Sequence, residues 1–378
     1  MQGRRMESLS ALGMMSGTSL DGVDVAMLHT DGVEIADTGP SCYRPYTDAE
    51  RTLLRQALAA AVSLPDRTTR SDILRAAEDM VTRVHAEAVE SFSASTGMAV
   101  SDIAVIGFHG QTVLHRPERK LTVQIGDPAA LARRLGCPVV ADLRQADVAA
   151  GGQGAPLVPV YHQALVRGLD RPGPVCVVNI GGVGNITYLE GDGEPIACDT
   201  GPGNALLDDF VRLRTGATQD ADGRLAARGR ADLATVERLM AHPYFLQPPP
   251  KSLDRNDFRN WVAERGGLGD MTTEDGAATL TRLTVETLAR LVDLLPQPPR
   301  SWIVAGGGAH NPTLMAMLSD RLAPATVETA AQAGWSVDAM EAQAFAYLAA
   351  RSLRGLPLTF PGTTGIAAPL TGGVLYRP

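Results

Sequence analysis

The pattern that most constrains this chain is a strand–turn–strand–turn–strand unit that occurs twice. From Leu9 the order is LSALGMM, the turn SGTSLDG, VDVAMLH, the turn TDG and VEIADTG. From Pro174 it is PVCVVNI, GGVGN, ITYLE, GDG and PIACDTG. Apolar runs joined by tight Gly/Asp/Ser turns predict antiparallel meanders. Each meander is followed by helix-type spacing broken by short buried strands: IAVIGF (Ile103–Phe108), LTVQIG (Leu121–Gly126) and CPVVAD (Cys137–Asp142) after the first, SWIVAG and ATVETA after the second. Apolar recurrence at three and four predicts helices over Thr47–Leu64, Thr68–Gly97, about Asn204–Thr215, Ala231–Ala241 and Thr273–Leu295, from Pro312, and over Val337–Arg354. The result is an α/β chain of two duplicated mixed-sheet lobes, as 378 residues exceed one hydrophobic core. The Gly/Pro-rich stretch GGQGAPLVPVYHQAL suits a crossing between lobes. The expected lobes are residues 1–158 and 159–378, the last helix and tail packing back toward the first.

Composition narrows the partners. A formal net charge of -8 argues against a nucleic-acid or anionic-membrane surface, which needs a basic excess. The segment MQGRRMESLSALGMM lacks the apolar core of a signal peptide, and no apolar run approaches the ~18 residues a membrane span needs. Cys42, Cys137, Cys176 and Cys198 share no metal-type spacing, and the seven histidines are scattered. They read as reduced thiols of a cytoplasmic protein without a structural metal.

A turn such as SGTSLDG presents backbone N–H groups and short hydroxyls to a phosphate chain, although most such turns only join strands. Two of them facing each other across a cleft would clamp a polyphosphate. A third cluster, AGGGAHN (Ala305–Asn311), lets a flat ring lie on the backbone. Alternatively it is a helix-entry turn, with Asn311 as cap before Pro312. GxxxxGK[ST] does not occur, which excludes a P-loop.

The three glycine turns resemble those of the actin-like ATPase superfamily, whose lobes have a ribonuclease H-like fold. GMMSGTSLDGVD, FHGQT, VQIGDP, VAAGGQGAPLVPVYHQAL, NIGGVGNIT, CDTGPGN, VAGGGAHN and MEAQAFAYLA are similar, in order, to motifs of the anhydro-N-acetylmuramic acid kinase family. The resemblance spans about residues 10 to 377. It implies an enzyme of peptidoglycan recycling that opens the 1,6-anhydro bridge of the amino sugar and phosphorylates its 6-oxygen with ATP and Mg2+. A homodimer is also implied. Two departures stand out: Phe108, where many members have serine before HGQT, and KSLDRND (Lys251–Asp257), where many read KSTGRE.

On that resemblance Asp199 is the catalytic base and Glu341 a second catalytic carboxylate. From the residues alone Asp199 is equally a turn former, and Glu341 equally an exposed helix residue. For the nucleotide the candidates are Ser16, Gly17, Thr18, Ser19, Leu20, Asp21, Gly22, Val23 and Asp24, with Asp21 or Asp24 holding magnesium through water. Gly181, Gly182 and Asn185 follow in the second turn, and Gly306, Gly307 and Asn311 in the third. His109, Gln111, Thr112, Arg144 and Gln153 are the candidates for the sugar; a lone histidine is otherwise a structural one. Arg144, Lys251 and Arg255 are alternative partners for the lactyl carboxylate, or solvated surface charges. Two other readings stand beside this one: a kinase of another amino sugar, and a non-catalytic ATP-driven switch.

Overall fold

The structure is a computed structural model that describes residues 7–17, 19–253 and 255–378, with Arg255, Asn256 and Asp257 described by backbone alone. It divides into two compact units, Met1–Gly168 with Asp338–Pro378, and Leu169–Val337.

In the first unit β1 (Leu9–Met15), β2 (Gly22–Thr30) and β3 (Ile35–Pro45) form the expected antiparallel meander. β4 (Val105–Phe108) and β5 (Val139–Ala141) continue the sheet in parallel, giving the order β3-β2-β1-β4-β5. Alternation along the strands sorts the two faces. Leu12, Met14, Ile106 and Phe108 share a core with Leu74, Val81, Val84 and Phe92 of the helix Asp72–Thr96. That helix starts on Ser71, whose side chain accepts from the Leu74 N–H, and stops at Gly97 in the left-handed conformation.

The opposite face carries the helix Met340–Leu353. It crosses β1 and β4 over Gly13 and Gly107, which are register partners. A Cβ on Gly13 would lie 1.8 Å from the Ala342 carbonyl oxygen, and one on Gly107 2.1 Å from that of Phe345. The glycines are therefore what lets this helix lie so close, and they bring its first turn to the carboxyl ends of β1 and β4.

In the second unit β6 (Val175–Ile180), β7 (Val183–Leu189) and β8 (Ile196–Pro202) repeat the meander. With β9 (Ser301–Ala305) and β10 (Thr326–Thr329) added in parallel, the order is β8-β7-β6-β9-β10. Both units thus have one strand order, that of the duplicated ribonuclease H-like, actin-like ATPase fold.

Three details differ from the sequence reading. Leu121–Ile125 pairs only with Gln111–Arg116, in a ribbon outside the main sheet. The segment Val374–Tyr376 adds an antiparallel strand beside β5. The division falls after Gly168 instead of near residue 158. The helix Pro159–Arg167 stays with the first unit, where the Tyr161 hydroxyl donates to Gln343 Oε1 at 2.9 Å. The Gly/Pro stretch before it is fixed in place, because the buried Asp147 carboxylate accepts from the Gly154 N–H at 2.6 Å and from the Thr364 hydroxyl at 2.6 Å.

Candidate active site

In the first unit the turn after β1 is stitched to the end of β4. The Ser16 hydroxyl donates to the Gly110 carbonyl at 3.2 Å, and Gln111 Nε2 to the Gly17 carbonyl at 3.1 Å. Asp21 Oδ1 accepts from the Ser19 hydroxyl at 2.8 Å and from the Gly22 N–H at 2.9 Å, closing the turn on itself. Leu20 and Val23 are buried, so their side chains belong to the core and only their backbone remains for a ligand. Thr18 lies outside the described residues.

His109 follows β4 and is buried. Arg144 donates to its Nε2 from Nε at 3.2 Å and from Nη2 at 3.0 Å, and from Nη1 to the Gly154 carbonyl at 2.8 Å. Burial first, then the adjacent guanidinium, holds His109 well below the ordinary imidazole range, so it is neutral. Its acceptor nitrogen is Nε2, which places the proton on Nδ1, a buried atom that faces the Ser16 and Gly110 backbone. Gln111 Oε1 is buried and has no hydrogen-bond partner among the described residues. Thr112 Oγ1 accepts from Gln124 Nε2 at 3.2 Å, while Gln153 is exposed and its N–H is bonded to the Thr364 carbonyl.

Glu341 stands on the exposed side of the Met340–Leu353 helix. Crowding by protein atoms raises its carboxyl, Arg144 opposes that rise, and Asp21 adds to it. Asp24 feels the same acidic group. Burial, then Asp21, Glu341 and Asp338, pushes its carboxyl up to about 6.

A carboxyl raised in this way binds its proton more tightly in the folded chain than in the unfolded one. Stability therefore falls as pH rises from about 4 to about 6, and the loss persists above that range. Asp24→Asn is expected to raise folding stability at pH 8 by ~1–2 kcal/mol and by nothing measurable at pH 4. Denaturant unfolding at the two pH values checks this, and an equal gain at both would contradict it.

In the second unit three polar side chains stand in a row across adjacent strands. Asn179 of β6 is the register partner of Asn185 of β7, which is the partner of Asp199 of β8, so all three share one sheet face. Asp199 has no ion-pair partner among the described residues. Its Oδ2 accepts from the Leu253 N–H at 2.9 Å, and burial raises its carboxyl while that N–H lowers it. The turn after β6, the end of β8 and the turn after β9 interlock here. The Gly203 N–H donates to the Gly182 carbonyl at 3.0 Å, and the Asn204 N–H to that of Gly181 at 2.7 Å. A Cβ on Gly306, itself at φ 74°, would lie 2.3 Å from Asn179 Oδ1. Gly307 lies beside the Asn204 side chain.

Asn311 is buried, with Oδ1 committed to the Leu314 N–H at 3.0 Å. It caps the helix Pro312–Leu322 through Oδ1 and so shapes the turn. Lys251 is turned inward, donating to the Tyr244 carbonyl at 3.0 Å. The side chain of Arg255 is not described.

The structure also brings in Asp147, Asn179, Asn204 and Tyr244, which sequence reasoning did not single out. Asn179 and Asn204 stood in quoted motifs, at the ends of the same glycine turns. Asp147 and Tyr244 had no local signal.

The chain matches the family model described as anhydro-N-acetylmuramic acid kinase over residues 9–378. It is 60% identical over 370 residues to the anhydro-N-acetylmuramic acid kinase of Rhodopseudomonas palustris strain BisB18, covering 98% of this chain and 100% of that one. It is 58% identical, with the same coverage, to the protein of that name from Nitrobacter winogradskyi. Among solved structures, component A of (R)-2-hydroxyglutaryl-CoA dehydratase from Acidaminococcus fermentans superposes with a TM-score of 0.46 at 12% identity, covering 92% of this chain and 100% of that one.

Proposed function

The chain belongs to the anhydro-N-acetylmuramic acid kinase family, and from that premise we propose how its residues divide the reaction. The protein is an ATP-dependent kinase of anhydro-N-acetylmuramic acid. It opens the 1,6-anhydro ring and phosphorylates O6 to give N-acetylmuramic acid 6-phosphate, a step of peptidoglycan recycling.

In the anhydro sugar O6 is tied to C1 and carries no proton. It becomes a phosphoryl acceptor only as the C1–O6 bond breaks, and a nucleophile must then take C1. Water attacks C1 opposite the departing oxygen, so C1 inverts. Asp199 accepts the water's proton. The observation that carries this assignment is its carboxylate: partly buried, without an ion-pair partner among the described residues, and raised by burial above the ordinary carboxylate range. Activity is accordingly lost as pH falls through the raised value.

Arg144 and neutral His109, with Gln111, Thr112 and Gln153, bind the sugar; Arg144 is the partner for its carboxylate. Glu341 is the second catalytic carboxylate, lining the sugar's side. Ser16 to Asp24 and the turns around Gly181, Gly182, Asn185, Gly306 and Gly307 hold the nucleotide. Asp21, Asp24 and Glu341 fit a hydrated Mg2+: burial is the first cause of the raised Asp24 carboxyl, and the neighbouring Asp21 and Glu341 carboxylates add to it, a repulsion that a cation would relieve. When bound, Mg2+ neutralises charge on the phosphates. No helix among the described residues is long and apolar enough to cross a membrane. The enzyme is proposed to act in the cytoplasm as a homodimer, with no nucleic-acid or membrane partner.

The test is turnover of anhydro-N-acetylmuramic acid with ATP and Mg2+ in 18O-labelled water. Mass spectrometry is expected to find the label at C1 of the sugar phosphate and none in the phosphate. Label in the phosphate would defeat the mechanism, and turnover of ATP without sugar would favour an ATP-driven switch.

A further inference from the structure

We infer that Tyr244 is a positioning residue for the general base, its hydroxyl holding the bulged strand end that aims Asp199. The inference rests on the reading of Asp199 as that base.

The register between β7 and β8 carries it. Asp199 lies opposite Asn185, while Gly201 lies opposite Gly184, the next residue along β7. Thr200 is therefore an extra residue, and the strand bulges directly after Asp199. Bulges bend a strand and redirect the side chains beside them, and they interrupt the ladder that would otherwise fix the backbone. Here the backbone is fixed from outside the sheet. The Tyr244 hydroxyl donates to the Asp199 carbonyl at 2.7 Å, and the Asp199 N–H donates to the Lys251 carbonyl at 3.0 Å.

Tyr244 is in turn anchored by the same segment. Lys251 Nζ donates to the Tyr244 carbonyl at 3.0 Å and sits 4.6 Å above the Tyr244 ring. The contacts close a ring from Asp199 to Tyr244, to Lys251 and back to Asp199. Two residues past Lys251, the Leu253 N–H occupies Asp199 Oδ2. Oδ1 is left as the oxygen with no protein partner among the described residues, and it receives the water's proton. Burial raises the Tyr244 phenol far above its ordinary value, so its O–H remains a donor throughout the working pH range.

Core packing alone does not account for the hydroxyl. The Tyr244 ring meets Phe245 at 5.9 Å and Phe258 at 6.4 Å between centroids, contacts that phenylalanine would keep. Tyr244→Phe in the full chain is expected to lower kcat about tenfold, the worth of one lost hydrogen bond in the transition state. KM for sugar and ATP stays within about twofold, because Tyr244 acts through Asp199. With Asp199→Asn already present, Tyr244→Phe lowers kcat no further, since aiming matters only when there is a base to aim. Lys251→Met, which removes the anchor and keeps the hydroxyl, lowers kcat in the same way by a smaller factor, and it serves as the test if Tyr244→Phe does not fold. Wild-type kcat in these variants, or an equal loss in the Asp199→Asn background, would overturn the inference while leaving Asp199 as the base. Near-normal turnover by Asp199→Asn alone would instead overturn the reading on which it rests.

Discussion

Asp199→Asn is expected to bind ATP and the anhydro sugar almost normally and to lose turnover by at least about 10²-fold, the lower end of what a positioned base contributes. Asparagine keeps the shape of the side chain, and its amide oxygen can still accept from the Leu253 N–H that holds Oδ2 in the native chain. The backbone bonds to Lys251 and Tyr244 do not involve the side chain at all. What disappears is the oxygen that takes the proton. The loss is therefore expected in kcat, with KM for both substrates little changed. Calorimetric titration of the folded variant with each ligand, beside steady-state kinetics, separates the two effects. A variant with near-normal turnover would remove Asp199 as the base and leave Glu341 as the next carboxylate to test.

The doubled meander was legible because apolar runs and the glycine turns between them are local signals, and both sheets follow it strand for strand. Helix ends were legible to within a few residues for the same reason. Ser71 and Gly97 bound the helix Asp72–Thr96, for example, through contacts with their own neighbours. What escaped depends on distant pairing. Gly13 and Gly107 each look like an ordinary glycine in a strand, and only their adjacency in the sheet shows that a helix must lie on them. The stretch Gly151–Pro159 has the composition of a crossing, yet Asp147 and Thr364 clamp it, and nothing near it in sequence announces Thr364. The same holds at the site. Asp199 and the glycine turns were readable as motifs, and Arg144 could be ranked by its place after a buried strand. Tyr244 reaches Asp199 across 45 residues of chain, with no periodicity to betray it. Asn311 carried two readings in sequence, and its bond to the Leu314 N–H favours the capping one.

Gly17→Val, or Gly182→Val in the other unit, is expected to abolish activity by blocking the nucleotide while leaving the fold intact. Neither position has an internal reason to be glycine. A Cβ on Gly17 would have Ser19 Oγ at 3.4 Å as its nearest neighbour, and one on Gly182 would have the Ala205 Cβ at 3.5 Å, both ordinary contacts. Neither residue is in the left-handed region that favours glycine. The contrast is Gly13, where a side chain would collide with the helix above it. Space that the protein itself does not need is available to a ligand, and a phosphate chain reaching the backbone N–H groups of these turns would occupy it. A branched side chain fills that space and would also hold the phosphates off the N–H donors. Titration calorimetry should find ATP binding weakened by at least about 100-fold, which is roughly 3 kcal/mol, in either variant. Thermal unfolding of the free proteins should stay within a few degrees of the parent. Unchanged ATP affinity in both folded variants would refute the phosphate assignment of the two turns. A large loss of stability would show instead that the glycines serve the fold.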